Sequence, residues 1–221
     1  MLQIKWILLS LILAILSACT SFPRIYSGEE IHGWVIDSKT KQAIKDVVVV
    51  EIWELEGGLH TDHTANIHIA ETVTDEKGYY SFFSWGPRLT VDGSMSASSP
   101  RLVFYKFGYD WVGRANTISG NLNPDNSVSE HTGKKIELEK FEGTEKQYPK
   151  KLDSVYGFLN LSSYRKSFKC MWKKVPIFTS EMIKAKRYFK ERGIYSNFPH
   201  LGSLSAPECR NPKEILKDYL L

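Results

Sequence analysis

Short segments rich in β-branched and aromatic residues, separated by turn signals, constrain the fold of this chain more than any other feature. Six segments have this composition: Ile31–Ile36, Val47–Leu55, Ile67–Val73, Tyr79–Phe83, Leu102–Tyr105 and Ile136–Glu139. Such residues are enriched in strands because their side chains pack well on a pleated surface. Between two of the segments, Gly78 can take the positive φ that closes a hairpin. Several short strands without long intervening helices predict a mainly β fold, an antiparallel β-sandwich.

Helical spacing replaces the strand pattern after Phe141. Apolar residues recur there at three- and four-residue steps, at Leu152, Val155, Tyr156 and Leu159 and again at Met182, Ala185 and Phe189. Ser180 is the expected start of the second helix and Gly193 its end. Asn211 and Pro212 have the pattern of an N-cap and a first-turn proline, with Glu214 placed to reach back to the cap. We therefore expect the sandwich to span residues 31–140 and a helical region to span 141–221.

The first residues have the pattern of an export signal. Lys5 supplies a positive charge, and residues 6–16 form a mainly apolar run that is too short to span a bilayer as a stable helix. The run ends in Leu16-Ser17-Ala18-Cys19, which resembles the lipobox of bacterial lipoproteins. The resemblance implies cleavage before Cys19 and acyl chains, such as palmitate, on that cysteine. An ordinary secretory signal or an uncleaved anchor is the alternative.

These features predict where the protein resides. Residues 1–18 would be the signal peptide and 19–30 a tether, so the membrane becomes a partner through the lipid on Cys19. Thr20 stands where an Asp would mark inner-membrane retention, so the periplasmic face of the outer membrane is expected. No nucleic acid is expected as a partner in that compartment.

Two cysteines remain after Cys19, and they are Cys170 and Cys209. The periplasm oxidises thiols, so we predict that these two form a disulfide and hold the end helix against the segment around Trp172. Two buried free thiols, or a redox or metal role, are the alternatives.

Charge divides the chain in the same place as the secondary-structure pattern. Residues 19–140 contain 12 Lys and Arg against 17 Asp and Glu, whereas residues 141–221 contain 16 against 8. Basic residues cluster at Arg165, Lys166, Lys169, Lys173 and Lys174 and at Lys184, Lys186, Arg187, Lys190 and Arg192. Solvated helix faces explain these clusters, and attraction to anionic lipid or glycan is the alternative.

Several motifs within 31–139 resemble the carboxypeptidase regulatory-like domain, a transthyretin-like sandwich. The matching segments are Gly33-Trp34-Val35-Ile36-Asp37, Ile44 to Val49, Thr74 to Phe82 and Lys106-Phe107-Gly108-Tyr109. Ala43 and Phe107 depart from the family pattern, since proline is usual at both positions. The resemblance implies a non-catalytic module for contact with proteins or carbohydrates. Residues 141–221 match no family pattern.

Three histidines, His60, His63 and His68, fall within nine residues together with Asp62. Imidazoles and a carboxylate suit zinc or copper, and a loop between strands can gather them around one ion. A solvated polar connection is the alternative. No other cofactor is expected.

Motifs for catalysis are weak in this sequence. His68 and Glu71 reproduce the His-x-x-Glu of zinc carboxypeptidases, but in a strand residues three apart face opposite sides of the sheet. Neither a Gly-x-Ser-x-Gly elbow nor a phosphate-binding loop is present. The aromatic set of Trp85, Tyr105, Tyr109 and Trp111 is expected in core packing, with a stacking platform as the alternative.

Together these features predict a non-enzymatic, lipid-anchored envelope module that contacts another envelope protein or a glycan. A periplasmic binder of a transition metal, using His60, His63 and His68, is the alternative.

Overall fold

A computed structural model describes residues 23–57, 65–90, 93–117, 128–159, 170–196, 209 and 211–220. The strands are β1 Arg24–Gly28, β2 Ile31–Asp37, β3 Val48–Glu56, β4 Ala65–Val73, β5 Tyr79–Phe82, β6 Trp85–Thr90, β7 Ser94–Met95, β8 Arg101–Tyr105, β9 Val112–Ala115 and β10 Lys134–Leu138. The helices are α1 Tyr148–Phe158, α2 Pro176–Glu191 and α3 Pro212–Ile215, with 3₁₀ helices at Met171–Lys174 and Lys217–Tyr219. The prediction of a mainly β fold with a helical C-terminal extension is confirmed.

Two sheets form the sandwich. In the first, β2 lies between β10, to which it is parallel, and β5, to which it is antiparallel. The second has the order β4-β3-β8-β9 with antiparallel pairs throughout, and β7 pairs with the end of β3. Each of the six predicted strands is present, with its ends within two residues of those expected.

The space between the sheets is filled by alternate side chains of both. Val35, Phe82 and Ile136 from the first sheet join Trp53 and Phe104 from the second in one apolar cluster. The alternation follows from the period of two in a strand, which sends successive side chains to opposite faces.

Residues 24–28 do not act as an irregular tether, which corrects the expectation for residues 19–30. They form β1, which pairs antiparallel with β6 and places Ile25 opposite Leu89. Tyr26 is fully buried, donates a hydrogen bond to the Gly93 carbonyl (3.4 Å) and accepts one from the Met95 amide (3.3 Å). The folded body therefore begins by Arg24.

The helical region covers the outer face of the second sheet. A second apolar cluster joins Val50, Ile52 and Tyr105 of the sheet to Leu152 of α1 and Phe178 of α2, among other residues. Strand β3 is consequently buried on both faces over Val48–Leu55. This explains why its sequence is a nearly continuous apolar run rather than an alternating one.

Helix boundaries in this region differ from the expected ones. Helix α2 begins at Pro176, four residues before the predicted cap. Ser180 is buried inside the helix, and its hydroxyl donates to the Ile177 carbonyl (2.7 Å). Asn211 does cap α3, because its side chain accepts from the Lys213 amide (3.0 Å). Helix α3 is four residues long and continues as the 3₁₀ helix, so the expected single end helix is interrupted.

Cys170 and Cys209 form a disulfide, as predicted, with their Cα atoms 5.3 Å apart. The bond lies in a third apolar cluster in which Trp172, Ile183 and Leu216 are buried. The end segment is therefore held against both the 3₁₀ helix at Met171–Lys174 and α2.

The turn motifs have the geometry that their residues predict. One oxygen of Asp75 accepts from the amides of Lys77 and Tyr79, both at 2.8 Å, and Gly78 has a φ of 70°. In the segment Lys106-Phe107-Gly108-Tyr109, Gly108 has a φ of 89°. Phe107 packs on the rings of Tyr148, Tyr188 and Phe189. Phe107 thus forms a contact between the sandwich and the helices.

Candidate functional site

His68 is paired with a buried carboxylate inside the sandwich. Its Nε2 lies 2.9 Å from Glu51 Oε1, and Glu51 is 1% exposed. The imidazole stacks on Trp85 with ring centroids 4.9 Å apart, and Trp53 donates to the other Glu51 oxygen at 3.4 Å. A carboxylate can be buried only when it is hydrogen-bonded, and these contacts supply its partners.

The metal-binding hypothesis stays a prediction. His60 and His63 lie outside the described residues, so the arrangement of the three imidazoles is not defined. Within the described ranges no group of three His, Cys, Asp or Glu side chains is placed to hold a metal ion. His68 already has Glu51 as a partner, so a metal site here would have to use its other ring nitrogen.

Glu71 faces the opposite side of the sheet from His68. Its two carboxylate oxygens accept hydrogen bonds from the backbone amides of Ile177 (2.6 Å) and Phe178 (2.8 Å) at the start of α2. Burial raises the pKa of Glu71 to about 7, although the two amide hydrogen bonds act to lower it. His68 and Glu71 therefore do not form a His-x-x-Glu metal site, and Glu71 joins α2 to the sheet.

A second charged pair connects the sheet to α1. Arg101 Nη2 lies 2.6 Å from Glu54 Oε1, and Arg101 Nη1 donates to the carbonyl of Phe158 at 2.7 Å. The guanidinium also lies over the Phe158 ring, 5.1 Å from its centroid.

Glu51, Glu54 and Glu71 were not predicted as sites. Glu51 and Glu54 interrupt the apolar run of β3, and a charged residue in such a run indicates a buried polar contact.

The aromatic set does not form one platform. Trp85 belongs to the cluster between the sheets, whereas Tyr105 packs on Phe178 in the cluster below the helices. Tyr109 and Trp111 are half-buried, and the Trp111 indole donates to the Lys151 carbonyl at 3.0 Å. The expectation of core and corner packing fits these placements.

The predicted basic clusters are only partly described. Arg165, Lys166 and Lys169 lie outside the described residues. On α2, Lys184 pairs with Glu181 at 3.0 Å, and partial burial lowers the pKa of Lys186.

Cys19 also lies outside the described residues. Among those that are described, no helix is both long and apolar enough to cross a membrane.

Three strongly exposed apolar side chains lie on β1 and β6 or just before β6. Ile25 and Leu89 are 62% and 67% exposed, and they are directly opposite each other on β1 and β6. Phe83, in the connection between β5 and β6, is 90% exposed. Side chains opposite each other in an antiparallel pair lie on the same face, so Ile25 and Leu89 form one apolar surface, here called the ribbon pair. Sequence reasoning missed it.

Comparisons with known proteins give only distant similarities. No protein-family model matches the chain, and no curated protein matches it. Among solved structures, a 3-chlorocatechol 1,2-dioxygenase from Rhodococcus opacus 1CP aligns at a TM-score of 0.32 and 14% identity, over 52% of this chain and 61% of the dioxygenase. The C-terminal domain of the shaft pilin SpaA from Lactobacillus rhamnosus GG aligns at 0.29 and 10% identity, over 52% of this chain and 98% of the domain.

A 9R-lipoxygenase from Cyanothece PCC8801 aligns at a TM-score of 0.28 and 11% identity, over 79% of this chain and 26% of the enzyme. Similarities at these TM-scores carry no argument about function. The chain spans less than two thirds of the dioxygenase and about a quarter of the lipoxygenase.

Proposed function

We propose that this chain is a non-catalytic cell-envelope lipoprotein that contacts another envelope protein or a glycan through its β-sandwich and helical layer. The observation that carries the proposal is the sequence Leu16-Ser17-Ala18-Cys19 at the end of a short apolar run. Each methylene of an acyl chain contributes about 0.8 kcal/mol of membrane affinity, so several chains on one cysteine make the attachment lasting.

The disulfide between Cys170 and Cys209 supports an exported protein. Disulfides persist in oxidising compartments and are rare in a reducing cytosol. With these two cysteines paired, Cys19 is left as the single cysteine available for acylation.

A carboxypeptidase regulatory-like identity for residues 31–140 is part of the proposal. The turn geometry at Asp75, Gly78 and Gly108 supports it, because the motifs of that family place aspartate and glycine at such turns. The departure at Phe107 also has a structural role, since this ring contacts the helical region.

Replacing the proposed lipid attachment site tests the proposal directly. Cys19→Ser should abolish incorporation of labelled palmitate and release the protein from the membrane fraction, or leave it unprocessed. Ser17→Ala is the matched control, because a small residue is retained before the cysteine and acylation should continue. Cys19→Ser protein that is still cleaved and membrane-bound at the wild-type level would contradict the proposal.

A further inference from the structure

The β1–β6 ribbon has an apolar outer face that the rest of the described chain leaves uncovered. Ile25 and Leu89 are each more than 60% exposed, although they face each other in the antiparallel β1–β6 pair. Exposed apolar residues scattered singly are normal on protein surfaces. Two on the same face of a ribbon, with Cβ atoms about 5 Å apart, form a contiguous surface that fits an apolar partner.

The ribbon is held firmly against the body, so its outer face has a defined direction. On the inner face, Tyr26 is fully buried and hydrogen-bonded at its hydroxyl. Trp85 packs against Gly28 so closely that no side chain would fit on this glycine. A two-stranded ribbon is marginal by itself, and these contacts are what fix it in place.

The distance to Cys19 identifies the occupant of this surface. Ile25 is the sixth residue after Cys19, and a fully extended chain spans at most about 22 Å over six residue steps. If Cys19 carries the lipid, the ribbon pair is therefore confined to within that distance of the membrane surface. Many other apolar partners would fit two side chains, but a lipid on Cys19 would keep the bilayer within this distance at all times.

Two arginines lie next to the ribbon pair in sequence but belong to the inner face of the ribbon. Arg24 and Arg88 alternate with Ile25 and Leu89 along their strands, so their side chains leave the ribbon on the face that carries Tyr26. Arg24 donates to the Ser94 hydroxyl at 2.6 Å, and Arg88 donates to the Ile67 carbonyl and lies over the Trp85 ring. The outer face is therefore apolar at Ile25 and Leu89, and aliphatic side chains enter the boundary between lipid headgroups and acyl chains.

We propose that the ribbon pair, Ile25 and Leu89, inserts into the phospholipid surface next to the acylated Cys19 and so orients the sandwich on the membrane. This inference rests on the proposed lipid anchor. A lipid on Cys19 does not by itself set which side of the sandwich faces the membrane, whereas the ribbon contact does.

Photolabelling of the full-length lipidated protein tests the contact. The protein is reconstituted into vesicles of phosphatidylethanolamine and phosphatidylglycerol containing a phospholipid with a photoactivatable acyl chain. Illumination and peptide mass spectrometry should place lipid adducts on the peptides containing residues 24–28 and 85–90. The Ile25→Ser/Leu89→Ser variant should lose most of these adducts. Tyr195→Ser is the matched control, since this ring is 83% exposed in the helical region, and it should label like the wild type.

The intact mass of the same sample separates the two proposals. Acylated protein whose ribbon peptides carry no adducts, or fewer than other peptides, overturns the membrane contact and leaves the lipoprotein proposal standing. Unlabelled ribbon peptides in a protein that sediments as a dimer also overturn it, in favour of self-association. Protein without acyl chains on Cys19 overturns the lipoprotein proposal and removes the premise of the contact. Leu89→Ser alone serves as a second variant if the double variant is unstable.

Discussion

Glu71 is a titrating residue at the junction between the sandwich and the helices. Its burial raises its pKa from 4.5 to about 7, so the folded protein binds this proton more tightly than the unfolded chain does. Protonated Glu71 therefore adds to the free energy of unfolding. This contribution is fully present below about pH 4.5 and is lost as the pH rises through about 7. Solvent contact reduces the effect, and we expect about 1–2 kcal/mol of unfolding free energy to be lost between pH 5 and pH 8.

Glu71→Gln should remove this part of the pH dependence, because the amide does not titrate. The variant should also be less stable by about 1 kcal/mol, since its NH₂ group cannot accept from one of the two backbone amides at Ile177 and Phe178. Denaturant unfolding at pH 5 and pH 8 measures both effects. Glu76→Gln is the control at an exposed carboxyl. Wild type and Glu71→Gln that lose equal stability over this range would contradict the prediction.

At the scale of single elements, the end segment depends on its disulfide. It buries few side chains, chiefly Leu216 and Pro212, and the bond closes a loop with a sequence separation of 39. In the chain-entropy model, closing such a loop stabilises the folded state by about 4 kcal/mol. Reduction should therefore expose residues 209–220 to proteases before the sandwich is cut, as measured by limited proteolysis and mass spectrometry of the fragments.

The Cys170→Ala/Cys209→Ala variant should show the same cleavage pattern without reductant. Full alkylation of both thiols in the native oxidised protein would disprove the bond. Unchanged cleavage of residues 209–220 after reduction would show that packing alone holds the segment.

The strands that sequence analysis recognised are dense in β-branched and aromatic residues, as in Val48–Glu56. Strand β6 was missed because it contains Gly86 and Pro87, residue types that usually mark turns between strands. Helix α2 was placed too late because Ser180 looked like a cap, although Pro176 was the stronger start signal. Sequence rules thus misplaced an element where a turn-forming or capping residue lay inside a strand or helix.

At the scale of the whole molecule, the helices and the sandwich share a core. Val50, Ile52 and Tyr105 are fully buried beneath α1 and α2, and burial of each such side chain contributes about 1.5–3 kcal/mol. A chain ending at Lys140 should therefore aggregate or fail to unfold cooperatively, as judged by soluble yield and thermal denaturation.

A chain ending at Ser196, with Cys170→Ala, is the control because it keeps α1 and α2 and should stay folded. A monomeric, cooperatively folding chain that ends at Lys140 and melts at the wild-type temperature would contradict the prediction.

The proposed sites differ in how far sequence alone could predict them. Cys19 and the disulfide follow from local motifs and a count of cysteines. The ribbon pair could not be predicted, because Ile25 and Leu89 are 64 residues apart and their pairing depends on tertiary contacts. The alternation of residues within β1 also does not show which face of the strand the body covers. Identifying such a surface requires the pairing register of the folded structure.

The parallel pairing of β2 with β10 determines the order in which the fold can be completed. Gly33 is aligned with Lys134, so the partner of one of the first strands is separated from it by about a hundred residues. Contacts of such long sequence separation form slowly, because a large loop must close before they give any stabilisation. A chain that crosses a membrane amino terminus first cannot close its first sheet until residue 138 has emerged. Until then β2 lacks its β10 neighbour, and an unpaired strand edge can pair with another chain.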